Sequence, residues 1–226
     1  DEPLIFVEVA LLPAMPAAVA PLIDKASAPL PPSQIKVAAF YSISNCQPGL
    51  KGVSLGNFLI KRVAEELQRE LPQLKAFCTL SPMPGFARWV RAGAPCEGLP
   101  KARAQRLAEA HAALRDAVGG EFDRLAQTGT LRGLGEPASQ ALLRLAAYYL
   151  GCHAARPDGD PVARFHLDNG ARLERLNPLA DLSEKGRRQS WGMMVNYLYD
   201  LGRIEPHHEK FVHGEVAQSR LLTSLL

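Results

Sequence analysis

"SLGNFLIKRVAEELQREL", residues 54–71, decides how the chain is read. Phe58, Leu59, Val63, Leu67 and Leu71 recur at helical spacing with charged residues opposite, the pattern of a helix that buries one face. On either side lie "IKVAAFYSIS" (35–44) and "LKAFCTLS" (74–81), β-branched and aromatic runs bounded by Pro, Gly or polar residues. Strand, glycine-bearing loop, helix and strand make a βαβ unit, whose crossover implies that the two strands are parallel.

Outward from this unit, "PLIFVEVAL" (3–11) is a further strand. The apolar opening "PLIFVEVALLPAMPAAVAPLI" is nearly long enough to span a bilayer. Glu8 and the prolines at 3, 13, 16 and 21 interrupt it, so it reads as strand, turn and short helix. From 101 to about 155 the chain turns Ala/Leu/Arg-rich. Helices are expected at 101–117, 120–127 and 137–151, separated by Gly-Gly and "TGTLRGLGEP", and the block reads as a helical insertion or cover. "DPVARFHLDNG" (160–170) has the punctuation of a helix: Asp to cap, Pro in the first turn, Asn-Gly to stop. "ARLERLN" (171–177) and "GMMVNYLYDL" (192–201) read as strands around a polar helical stretch near 182–190, and the tail beyond 203 is charged and then helical. The class is α/β with extra helices.

A chain of 226 residues with 47% hydrophobic and 22% charged content can bury a core as one domain. Its net charge of +3 and pI near 8.7 suit a small anionic ligand better than nucleic acid, which calls for a basic stripe with interleaved aromatics. Cys46, Cys78, Cys96 and Cys152 are scattered, with neither metal-ligand spacing nor a disulfide framework, so no metal is expected and a reducing compartment fits. The chain starts at Asp1 without a signal peptide, and the expectation is a segment of a longer cytoplasmic, bacterial polypeptide with no membrane association.

Between the second strand and the helix, residues 51–57 admit two readings. Backbone N–H groups at a helix N-terminus could cradle a pyrophosphate, or Gly52 and Gly56 could serve only a tight turn. By pattern alone, His166 beside Phe165 is more often a packed residue than a catalyst. Ser81 before Pro82 is a common turn device. His207 and His208 read as solvated residues of a polar tail, and His111 and His153 have no evident chemical partner.

"Lys51-Gly-Val-Ser-Leu-Gly56" is similar to the Arg/Gln-x-x-Gly-x-Gly/Ala loop that cradles coenzyme A pyrophosphate in the GCN5-related N-acetyltransferase superfamily. Here Lys51 replaces Arg or Gln and Ser54 replaces the middle Gly. "RFHLDNGARL" (164–173) resembles that superfamily's later helix-then-strand segment, with His166 in place of a Tyr that protonates the departing thiolate. Longer segments resemble one family, malonyl-CoA decarboxylase, in its order: "FYSIS" (40–44), "GLKGVSLGNFLIKRVAEELQRELPQL" (49–74), "LSPMPGF" (80–86), "ARFHLDNGARLERLN" (163–177) and "MMVNYLY" (193–199).

That resemblance implies a catalytic domain over 1–226 with the acetyltransferase-like mixed sheet, and a family N-terminal helical domain that this chain lacks and that would carry homo-oligomer contacts. It implies a lyase of fatty acid metabolism that converts malonyl-CoA to acetyl-CoA and CO2 without a cofactor. Lys51, Gly52, Val53, Ser54, Leu55, Gly56 and Asn57 would hold CoA. Ser81 would position the malonyl carboxylate or relay a proton, and His166 would protonate C2. Tyr41, Ser42, Asn196 and Tyr199 are candidate pocket residues, each with packing as an equal alternative. Vertebrate members carry Glu where Ser54 stands. The rival implications are a CoA-dependent N-acyltransferase on the same fold and a malonyl-CoA sensor without turnover.

Overall fold

Strand β1 (Ile5–Leu12) is followed by the short helix α1 (Ala20–Ile23) and pairs antiparallel with β2 (Val37–Asn45) in the computed structural model, which describes residues 5–26, 28–47, 56–154, 156 and 159–226. Glu8 faces Ser42 while Val9 faces Phe40, so Tyr41 is the extra residue of a β-bulge. Helix α2 (Gly56–Glu70) turns Ile60 and Ala64 to the core, with Val63 and Leu67 beside them. The chain then returns as β3 (Ala76–Thr79), parallel to β2 as the βαβ pattern requires, with Val37 opposite Ala76 and Phe40 opposite Thr79.

One residue further on, β4 (Ser81–Pro82) continues the line of β3. Strands β5 (Arg172–Asn177) and β6 (Met194–Tyr199) complete the sheet: β3 and β4 share one antiparallel register along β6, Cys78 facing Leu198 and Ser81 facing Val195, and β5 lies antiparallel on the other side. A fork in the sheet places the site. Beyond Phe40 and Thr79 no ladder pair joins β2 to its parallel neighbour among the described residues. There β2 stays with β1 and β4 with β6, leaving Ser81 just past the fork.

Strand side chains alternate between faces. Phe40, Phe77, Val195, Tyr197 and Tyr199 enter the main core, whereas Val37, Ala39 and Cys78 on the opposite face meet Leu12 and Met15, and Leu80 and Met194 meet Val19 and Leu22. Helices α3 (Phe86–Arg91), α4 (Lys101–Ala117), α5 (Thr128–Arg132), α6 (Glu136–Tyr148) and α7 (Pro161–Asp168) add to the main core, α4 packing on α6 through Leu107, Ala110 and Leu114. After β5 comes α8 (Glu184–Ser190), and after β6 come α9 (Ile204–Val212) and α10 (Arg220–Thr223). The tail also borders the sheet: Leu173 N–H donates to Ala217 O and Ser219 N–H to Leu173 O, which covers part of the β5 edge.

Two helical expectations are corrected. Residues 122–126 form 3₁₀ turns instead of an α-helix over 120–127, because Gly119 and Gly120 occupy the left-handed region and leave too short a run before α5. The helix expected to 151 is α-helical only to Tyr148 and continues as a wider π-turn over Tyr149–His153, which sets the Tyr149 and His153 rings 5.4 and 6.1 Å from that of Trp89. No helix among the described residues is long and apolar enough to cross a membrane.

Candidate active site

Helix α7 is held at both ends. Asp160 caps the first turn, its carboxylate accepting from Val162 N–H and Ala163 N–H at 3.0 and 3.1 Å, as the sequence predicts. Gly170 closes the last turn at φ +72°, and a Cβ there would lie 2.3 Å from Ile204 O, so the close approach of α9 demands glycine. His207 and His208 on α9 complete the clamp, with their Nδ1 atoms on the carbonyls of Gly170 and Asp168. This corrects the reading of His207 as a solvated residue, since it is buried; His208, its side chain 44% exposed, stays at the surface and also serves α7.

The helix so fixed carries His166 over the sheet beside Ser81. His166 Nε2 lies 3.0 Å from Ser81 Oγ, and Nδ1 lies 2.8 Å from Tyr199 Oη. Ser81 in turn donates to Thr79 Oγ1 at 2.9 Å. A neutral imidazole has one donor and one acceptor. With Ser81 donating to Thr79, the consistent arrangement has Nε2–H donating to Ser81 Oγ and Nδ1 accepting from the Tyr199 hydroxyl. The imidazole stacks on Tyr197 at 4.5 Å and meets Phe165 edge-on at 5.1 Å.

Sheet geometry explains the grouping. Thr79 and Ser81 lie two apart on one line of strand, and Tyr197 and Tyr199 two apart on the neighbouring strand, so all four share the face under α7. Only 5% of the surface of Ser81 and of His166 is exposed. Burial pushes the His166 imidazole from its ordinary 6.5 down to about 3, and pushes the Tyr199 and Tyr197 phenols up. At neutral pH the site therefore holds a neutral imidazole with one N–H aimed at a serine oxygen. It can orient a carboxylate by hydrogen bonds and pass a proton along a short relay, in surroundings that disfavour a localised charge.

Asn196 does not join this pair. It faces the other side of β6, where its amide nitrogen donates to Thr79 O at 2.8 Å and Pro16 O at 3.1 Å, and its oxygen accepts from Asn177 at 2.8 Å and Arg175 at 3.2 Å. It thereby supports Thr79 from behind and ties the 13–16 segment to the sheet. Tyr41 and Ser42 lie half-buried on β2 beyond the fork, with no hydrogen bond to Ser81 or His166 among the described residues. Lys51, Gly52, Val53, Ser54 and Leu55 fall outside the described residues. Gly56 and Asn57 form the first turn of α2.

Thr79 and Tyr197 were not singled out by sequence. Their signal was the spacing of two from Ser81 and Tyr199 on a strand, which puts each pair on one face. His111 also gains a partner, Val90 O at 2.9 Å from Nε2. The described residues contain no group of three or more His, Cys, Asp or Glu placed to hold a metal ion.

Comparison with known proteins follows the same lines. The family model for the malonyl-CoA decarboxylase C-terminal domain matches residues 1–226. Mitochondrial malonyl-CoA decarboxylase of Mus musculus is 40% identical over 204 residues, 86% of this chain and 42% of that protein. The Anser anser anser protein of the same description is 42% identical over 181 residues, 74% of this chain and 35% of that one. The chain thus spans less than half the length of these curated relatives. The crystal structure of malonyl-CoA decarboxylase from Rhodopseudomonas palustris superposes with a TM-score of 0.79 at 47% identity, covering 99% of this chain and 49% of that one. That from Cupriavidus metallidurans gives 0.79 at 45%, covering 100% and 56%.

Proposed function

Since the chain belongs to the malonyl-CoA decarboxylase C-terminal domain family, we propose that it carries the reaction centre of a carboxy-lyase that converts malonyl-CoA to acetyl-CoA and CO2. The observation that carries this reading is the buried contact of 3.0 Å between Ser81 Oγ and His166 Nε2 at the fork of the sheet.

Breaking the bond between C2 and the carboxyl carbon releases CO2 and leaves its electron pair on C2, delocalised into the thioester carbonyl. The substrate is its own electron sink, so the reaction calls for no cofactor. What remains for the protein is to bind the CoA handle, hold the carboxylate out of the carbonyl plane in a poorly solvated place, and supply one proton. Ser81 turns its one hydroxyl proton from Thr79 Oγ1 to the malonyl carboxylate and fixes its orientation, while its oxygen still accepts from His166. Leaving water raises the energy of a compact carboxylate more than that of the dispersed charge at the transition state, which favours CO2 loss.

With substrate bound, His166 takes up a proton from solvent to become the imidazolium, delivers the Nε2 proton to C2 and returns to the neutral form, so one proton is consumed per turnover. The malonyl carboxylate, entering beside a neutral imidazole, favours proton uptake there, because a nearby negative charge raises the affinity that burial lowers. Tyr199 holds the ring through Nδ1 in both states, its hydroxyl donating to the neutral imidazole and accepting from the imidazolium. The CoA pyrophosphate belongs to residues 51–57, where the N-terminal amides of α2 offer partial positive charge.

Product analysis tests the proposal. Intact protein given malonyl-CoA and an amine acceptor should release CO2 and acetyl-CoA in equal amounts, with no acylated amine. Acyl transfer without CO2 would make it an acyltransferase, and tight binding with neither product would make it a sensor.

A further inference from the structure

The carboxylate of Asp160 does more than cap a helix. Capping uses Oδ1 alone, and a Ser, Thr or Asn would supply that oxygen equally well. Oδ2 points the other way and accepts two further hydrogen bonds, from Tyr149 Oη at 2.8 Å and from Gly85 N–H at 3.2 Å. Only 1% of Asp160 is exposed, so one buried carboxylate gathers four donors from three segments.

Those segments are the ones that matter to the Ser–His pair. Gly85 ends the run Ser81-Pro82-Met83-Pro84-Gly85, which leads out of β4 with two prolines restricting its backbone. His166 sits six residues beyond Asp160 on the helix that Asp160 starts. Tyr149 opens the π-turn, and its ring packs against Phe86 at 5.6 Å and Trp89 at 5.4 Å on α3. The approach is close: a Cβ on Gly85 would lie 2.3 Å from Tyr149 Oη.

We propose that Asp160 is a positioning residue whose Oδ2 joins the Ser81 segment to helix α7 and thereby sets the spacing of Ser81 and His166. An acceptor on both sides explains why a carboxylate stands where a cap alone would not require one. A carboxylate buried without its donors would be costly, so the charge forces Gly85, Tyr149 and the first turn of α7 to stay together.

Asp160→Asn in the intact protein is the test. The amide oxygen still caps α7, but the NH₂ group now faces the N–H of Gly85 and the hydroxyl of Tyr149. The measurements are kcat and KM for malonyl-CoA and the ¹H–¹⁵N signals of the His166 imidazole, the first resting on the decarboxylase reading and the second independent of it. The expected result is a folded protein with kcat lowered about 10- to 100-fold, the cost of a displaced reacting group. KM should stay within about twofold, and the Nε2 signal should move. Should Asp160→Asn fail to fold, Tyr149→Phe, which removes one Oδ2 bond and keeps the ring, decides by the same readouts with smaller changes in the same direction. A folded variant with an unmoved His166 signal overturns the proposal, whether kcat is parental or kcat and KM decline together. A parent protein that releases no CO2 defeats the decarboxylase reading, while the imidazole signal still decides on Asp160.

Discussion

Replacing His166 with Gln and following stability against pH probes the state of the imidazole directly. In the folded chain burial holds that imidazole at about 3, so it is neutral throughout the range from pH 7.5 to 4.5. In the unfolded chain it titrates near 6.5. Below that value the unfolded state binds a proton that the folded state refuses, so stability contributed by the neutral, buried form is lost as pH falls. At pH 4.5, two pH units below the unfolded value, the loss is about 3 kcal/mol, since each unit is worth about 1.4 kcal/mol. His166→Gln has no such group and escapes this loss. His207, which burial also pushes down, is common to both proteins and cancels in the difference. Urea unfolding at both pH values, read by fluorescence of the buried Trp89 and Trp191, gives the two stabilities. The variant's stability relative to the parent should improve by about 3 kcal/mol between pH 7.5 and 4.5. A difference that stays flat would refute a desolvated, neutral His166.

Ser81→Ala should lower kcat for malonyl-CoA about 10²- to 10³-fold, as the loss of one oriented donor does elsewhere, with circular dichroism unchanged. Parental kinetics would remove Ser81 from the mechanism. Tyr199→Phe strips Nδ1 of its partner, so kcat should decline about tenfold with KM unaltered. The same variant should show the imidazole sampling both tautomers by nitrogen NMR, and a single retained tautomer would contradict the role given to Tyr199. Gly170→Ala must place a methyl against Ile204 O at positive φ, and thermal or urea unfolding should show it destabilised by about 2–4 kcal/mol. A loss below about 0.5 kcal/mol, the scale of an ordinary surface change, would mean that α9 yields easily.

What the sequence made legible follows from the range of the interactions. Strands β2, β3 and β6 are marked by apolar runs with turn residues at their ends, and α4 begins at Lys101 after Pro100 and ends at Ala117 as its pattern predicts. These are local signals. The 3₁₀ turns at 122–126 and the π-turn at 149–153 were missed because each spans five residues, too short a run for its apolar spacing to be told from that of an α-helix. Ser81 and His166 are 85 residues apart, and nothing in either local pattern calls for the other. Family resemblance named them, and the packing of α7 over the sheet brings them together. His207 was misread because a polar stretch of helix looks solvated until the carbonyls it caps are known. Asp160 was half legible: the cap is a local rule, whereas its bonds to Tyr149 and Gly85 depend on the fold.

The central claim is that His166 protonates C2 of a bound malonyl thioester. Single-turnover decarboxylation by intact His166→Ala, with the dissociation constant for malonyl-CoA measured on the same protein, tests it most directly. Binding within about threefold of the parent, with CO2 release slowed about 10²- to 10⁴-fold, is the predicted result for loss of an acid catalyst. Release at nearly the parental rate from an equally tight complex would contradict it and send the search for the proton donor elsewhere in the site.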